Sequence, residues 1–185
     1  MSRTLALFTL LMACHTSSAG FEIPEAAAVM HSLDRFETAG GIAYLSAAME
    51  RRADYEPMIS DKIAAAGLPD ELIAVVMVES GFENVAARPP ALPGGGLWQF
   101  IPATGRQYGL QVDASVDERM DPEKSTDAAL RLLTDLHGEF GDWGLALAAY
   151  NVGPHAVRRA IREGGTEDCG ELIRLGALPS YAADV

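Results

Sequence analysis

The stretch Leu145-Ala146-Leu147-Ala148-Ala149-Tyr150, opened by Trp143, is apolar on nearly every side. A helix with no polar face has to be enclosed by other elements, so this segment claims the centre of whatever fold forms around it. The residues just before it supply one wall. Ala129, Leu132, Leu133, Leu136 and Phe140 recur at helical spacing, and Gly141-Asp142 ends the run. Asp121-Pro122 opens that helix, the aspartate as N-cap and the proline at the first helical position. No run alternates as a half-buried strand does, so the chain is expected to be mainly α, with a short irregular or hairpin segment in its Pro-Gly region.

The remaining elements follow from punctuation. Ala26 to Ala39 has helical patterning, with Gly40-Gly41 interrupting, and a second helix is predicted from about Ile42 to Tyr55. Pro57 permits a new start, which predicts a short helix from Met58 to Ala66 ending at Gly67. Pro69-Asp70-Glu71 opens the next helix with carboxylates in its first turn, where the dipole favours them. Gly81 to Gly96 is irregular, blocked by Arg88-Pro89-Pro90 and Pro93-Gly94-Gly95-Gly96. A short helix is predicted over Pro102 to Tyr108, another over Pro154 to Glu163, and an irregular C-terminal segment after Gly164-Gly165.

At the N-terminus Arg3 precedes the apolar run Leu5 to Ala13, too short for a permanent membrane helix and read as an export signal over residues 1–19. Two processing outcomes compete. Leu11-Met12-Ala13 before Cys14 has the form of a lipoprotein signal ending at 13, which would place a lipid on Cys14, whereas Ser17-Ser18-Ala19 before Gly20 suits ordinary signal peptidase. In both cases Cys14 leaves the disulfide count and Cys169 stands alone, so no intramolecular disulfide is expected. Cys169 itself reads as a small structural residue. About 165 residues remain, enough for one domain and a monomer. The net charge of -12, from 14 Lys and Arg against 26 Asp and Glu, argues against nucleic acid and against charge-driven membrane binding; membrane contact is expected only through a lipid on Cys14. No metal-ligand spacing is evident, and no cofactor is expected.

Glu79 is the residue on which function turns. It ends the apolar run Leu72 to Val78 and is followed by Ser80-Gly81, so it is either a solvated helix end or a carboxyl pressed against apolar neighbours that make it hold its proton. Leu72, Val76 and Glu79 fall on one helical face, which favours the second.

Three ordered motifs then carry a resemblance. Glu79-Ser80-Gly81-Phe82, Gly96-Leu97-Trp98-Gln99-Phe100 with Ile101-Pro102-Ala103-Thr104-Gly105, and Ala148-Ala149-Tyr150-Asn151-Val152-Gly153 resemble the lytic transglycosylase SLT domain family, whose fold is that of goose-type lysozyme. Leu68-Pro69-Asp70-Glu71-Leu72, Tyr108-Gly109-Leu110, Asp117-Glu118-Arg119, Asp121-Pro122 and Phe140-Gly141-Asp142-Trp143 are similar to its membrane-bound murein transglycosylase D branch. The resemblance implies a lysozyme-like domain over residues 67–185, with residues 26–66 as a helical extension packed on it and the irregular segment beside the substrate groove.

It also implies peptidoglycan glycan strands as partner and the periplasm as location, with an outer-membrane anchor if Cys14 is lipidated. Glu79 would be the single catalytic carboxylate. It would protonate the β-1,4 bridging oxygen between N-acetylmuramic acid and N-acetylglucosamine, then accept the proton of the muramyl C6 hydroxyl as that oxygen closes on C1. The product is a 1,6-anhydromuramyl end. Most glycoside hydrolases need a carboxylate pair, and an internal sugar nucleophile removes that need.

By the same likeness Tyr150 and Asn151 face the glutamate, and Gln99 and Ser80 line the substrate site. Each has a structural reading beside it: a core tyrosine bonded to a backbone carbonyl, an amide fixing the helix end, an amide holding its loop, and a serine with no nearby His or Lys to activate it. Trp98, flanked by Leu97 and Phe100, reads as core. The loop from Glu83 to Gly96 is longer than the family's and lacks its serine, and Leu178-Pro179-Ser180-Tyr181 lacks the usual Glu-Thr pair. Two other activities stay open at this point. One is hydrolysis of the same bond by a goose-type lysozyme, for which Glu83 and Asp113 are the carboxylates to place, and the other is a non-catalytic wall-binding protein.

Overall fold

The computed structural model describes residues 37–86 and 94–179. The signal segment with Cys14, the predicted helix from Ala26 up to residue 36, the loop segment 87–93 and the tail 180–185 lie outside the described residues. Among the described residues the chain forms seven α-helices: α1 (Ala39–Ala66), α2 (Ile73–Ser80), α3 (Pro102–Gln107), α4 (Pro122–Phe140), α5 (Trp143–Val152), α6 (Pro154–Gly164) and α7 (Cys169–Arg174). Short 3-10 turns at Asp70–Leu72 and Glu118–Met120 lead into α2 and α4. The described residues hold no β-sheet. Their only β pairing is two isolated antiparallel bridges, Gly95 with Phe100 and Val112 with Asp117, so the expected hairpin reduces to one rung. The fold is mainly α and consistent with a lysozyme-like domain.

Helix α5 is the centre. Trp143 and Leu145 to Ala149 are all buried, with α4 and α6 packed against it. Asp142 caps it by accepting the Leu145 N–H at 2.8 Å. The α4 wall buries Ala128, Ala129, Leu130, Leu133 and Leu136, while Leu132 and Phe140 lie at its edge. Asp121 Oδ1 accepts the N–H groups of Glu123 and Lys124, both at 3.1 Å, which satisfies two donors the first turn leaves open.

The sequence misleads at two places. Helix α1 is continuous through Pro57 and begins at Ala39, so neither Gly40-Gly41 nor Pro57 divides it. The two glycines sit in its first turn, where Thr38 Oγ1 accepts the Gly41 N–H at 3.0 Å, and Pro57 together with Ala53, whose carbonyl loses its donor, is exposed to water. The C-terminal segment is also not irregular. Asp168 accepts the Glu171 N–H at 2.8 Å and starts α7 at Cys169. There Cys169 is half-buried against Gly144, and burial, with Asp142 and Asp168 nearby, pushes its thiol up to about 12.

Candidate active site

The site is built where α2 stops. Leu72, Val75 and Val76 are buried, and Glu79, one turn further on, is half-buried, so the apolar face of α2 reaches the surface at this carboxylate. Gly81 ends the helix in the left-handed region at φ 55°. A side chain there would not fit, because a Cβ would stand 2.6 Å from the Tyr44 hydroxyl oxygen. Phe82 follows at φ 60°, a conformation that costs an ordinary residue about 1–2 kcal/mol. Its ring is almost completely buried, which is worth a similar amount and holds the turn in place.

The second motif is a tight loop across from it. Gly95 N–H donates to the Phe100 carbonyl at 3.0 Å, and Gln99 sits in the left-handed region at φ 49°. Four side chains lock this loop. Ser80 Oγ lies 2.8 Å from the Leu97 carbonyl oxygen and ties the loop to α2. Tyr150 Oη donates to the Trp98 carbonyl at 2.7 Å and ties it to α5. Trp98 is fully buried, and its indole N–H donates to Thr126 Oγ1 on α4 at 2.9 Å, so it is core. Gln99 Nε2 donates back to the Gly96 carbonyl at 2.8 Å while the residue stays half-exposed.

Behind the loop stands a charged strut. Arg119 is buried, its Nε and one terminal nitrogen bonded to the two Asp117 oxygens at 2.8 and 2.7 Å and the other donating to the Phe100 carbonyl at 2.8 Å. The guanidinium beside Asp117 holds that carboxyl below its ordinary range. Its motif, Asp117-Glu118-Arg119, was visible; its target, a carbonyl of the loop, was not.

Tyr150 and Glu79 come together. Burial, and then the nearby Glu79 carboxylate, push the Tyr150 phenol well above its ordinary value, so it stays protonated. Asn151 is exposed in the last turn of α5. The two other carboxylates considered from the sequence are engaged elsewhere. Glu83 is exposed and pairs with Arg51 at 3.6 Å. Asp113 accepts from Ser115 N–H, Ser115 Oγ, Val116 N–H and Gln111 Nε2 within its own loop, which holds its carboxyl far below the usual range. No helix among the described residues is long and apolar enough to cross a membrane.

The chain is 39% identical over 121 residues to the Membrane-bound lytic murein transglycosylase D of Escherichia coli, an alignment covering 65% of this chain and 26% of that one. It is 35% identical over 104 residues to the Peptidoglycan transglycosylase gp16 of Escherichia phage T7, covering 55% of this chain and 8% of the relative. The chain therefore spans about a quarter or less of the length of these relatives. Among solved structures, an inactive glutamate-to-glutamine mutant of the lytic transglycosylase Slt from Pseudomonas aeruginosa superposes with a TM-score of 0.53 at 25% identity, over 71% of this chain and 23% of that one. The family model described as the Transglycosylase SLT domain matches residues 56–173, a span that takes in Glu79, the Gly96 to Phe100 loop and Tyr150, and the chain belongs to that family.

Proposed function

We propose that this protein is a peptidoglycan lytic transglycosylase that cleaves the β-1,4 bond between N-acetylmuramic acid and N-acetylglucosamine and leaves 1,6-anhydromuramyl ends. One observation carries the reading: a half-buried carboxylate at the end of an apolar helix lies near a phenol that its own hydrogen bond to Trp98 holds in place. Glu79 is the acid. It donates its proton to the bridging oxygen, and the resulting carboxylate then takes the proton of the C6 hydroxyl. The C6 oxygen, already part of the sugar, replaces a second protein group.

The engagement of Glu83 by Arg51 and of Asp113 by its own loop favours this route over hydrolysis, which needs a second group to activate water. The inactivity of the glutamate-to-glutamine mutant of the Pseudomonas enzyme supports an essential glutamate. Gln99 and Asn151, both with solvent-facing surface beside locked backbone, are assigned to sugar contacts, and Ser80 to holding the loop that presents them. We read residues 1–19 as an export signal to the periplasm, with an outer-membrane anchor if Cys14 is lipidated.

The test is digestion of purified peptidoglycan with mass spectrometry of the released ends. Anhydromuramyl ends are expected from the native protein and none from Glu79→Gln, which should fold and bind glycan normally. Ends heavier by one water would identify a hydrolase, and release at the native rate by Glu79→Gln would remove Glu79 from the reaction.

A further inference from the structure

We infer that Arg51, together with Tyr44, is a positioning residue for Glu79, an inference that rests on the transglycosylase reading above. Both residues precede the family match, which begins at residue 56 inside α1. Helix α2 is only eight residues long, so ties made to its C-terminal end from another helix bear directly on how its final turn is oriented. Tyr44 Oη donates at 3.0 Å to the Met77 carbonyl, which also accepts the capping Gly81 N–H at 3.0 Å, and Arg51 Nε donates to the Gly81 carbonyl at 2.8 Å. These two ties grip the chain two residues before and two residues after Glu79.

The grip is fitted closely. The absent side chain of Gly81 is where the Tyr44 ring sits, and Arg51 extends its other arm to Glu83 at 3.6 Å, beyond the turn. A guanidinium at a helix C-terminus also complements the partial negative charge there. Helix α1 does not need these groups for its own packing, since Ala48, Ile59 and Ile63 bury it. Their shared target is the backbone on either side of one carboxylate. Proton donation to a glycosidic oxygen requires hydrogen-bond reach, and a displacement of about 1 Å costs on the order of a hundredfold in rate.

The test measures kcat and KM of the full chain on soluble uncrosslinked glycan strands, reading anhydromuramyl ends, for the native protein, Arg51→Met and Arg51→Lys. Arg51→Met keeps the aliphatic stem. Its kcat is expected to fall about tenfold or more with KM within about twofold, in protein folded at the assay temperature by circular dichroism. Arg51→Lys should recover much of the loss, because an ammonium can still donate to the Gly81 carbonyl. A native kcat in Arg51→Met, or a loss that tracks only the unfolded fraction, overturns the inference. Should Arg51→Met fail to fold, Tyr44→Phe decides, with kcat expected to fall about threefold at unchanged KM and a native kcat overturning the clamp. If the native protein makes no anhydromuramyl ends, the activity reading fails and takes the clamp with it. With native turnover intact, a native-like Arg51→Met refutes the clamp alone.

Discussion

Replacing Gly96 by alanine tests whether the Gly96 to Phe100 loop is held as tightly as its contacts imply. Gly96 sits at φ 78°, where an alanine costs about 1–2 kcal/mol for its backbone alone. A Cβ there would also lie 1.9 Å from the Arg119 carbonyl oxygen, 2.9 Å from the Arg119 carbonyl carbon and 3.2 Å from Met120 Cε. An ordinary carbon-to-oxygen contact is about 3.3 Å, so the carbonyl would have to retreat by more than about 1 Å. It is not free to do so, because the Arg119 side chain is fixed to both Asp117 oxygens and to the Phe100 carbonyl. Weakening one such charge-assisted bond adds about 1.5–3 kcal/mol. The sum is about 2.5–5 kcal/mol, or about 10 °C in the midpoint of a domain of this size. Gly138→Ala is the internal control, since that glycine lies inside α4 with nothing within 4 Å of its Cβ, and it should gain about 0.5–1 kcal/mol. Urea unfolding of both variants measures the difference directly. Gly96→Ala within about 1 kcal/mol of native would show that the loop adapts and that the close approach to Arg119 carries no energy.

Two further outcomes are expected. Tyr150→Phe removes the donor to the Trp98 carbonyl and should cost about 1–2 kcal/mol in urea unfolding while lowering kcat on glycan strands, and native values of both would mean that the phenol serves neither loop nor acid. The Asp117 carboxyl is held below its unfolded value by Arg119, so the stability it contributes is fully present above about pH 3.9 and is lost as pH falls through its folded value. Thermal midpoints of the native protein and Asp117→Asn should therefore differ at pH 7 and converge toward pH 2, whereas a gap constant across that range would show that the carboxylate's charge contributes nothing.

The legible parts of this fold are those whose signals are local. Asp121-Pro122 starts α4 as its residue types require, and the apolar residues on every side of α5 imply its central position. The setting of Glu79 was legible for the same reason, since Leu72 and Val76 share its face at helical spacing and both are fully buried. Pro57 was misread because breaking a helix is a conditional property of proline. The lost hydrogen bond is tolerated where water reaches the freed carbonyl, and exposure is decided by the tertiary fold. The start of α7 was available and overlooked, as Asp168 followed three residues later by Glu171 is a helix-opening pattern.

What stayed illegible was the particular carbonyl that each long-range donor reaches. Arg51 meets Gly81 across 30 residues, Tyr44 meets Met77 across 33, and Tyr150 meets Trp98 across 52. None of these donors differs in type or spacing from an ordinary surface or core residue, and each is aimed at a backbone carbonyl, which no residue type announces. Two of the three ties differ in placement from the motifs they serve. Those motifs supply the groups assigned to chemistry, Glu79 and Tyr150, whereas two of the three ties originate in α1, before the matched span begins. If Glu79 is the single working carboxylate, as proposed, it has to serve both proton transfers from one position. On the proposed reading the rate depends on how firmly one short helix end is held, which would make the part of α1 preceding residue 56 a working part of the enzyme.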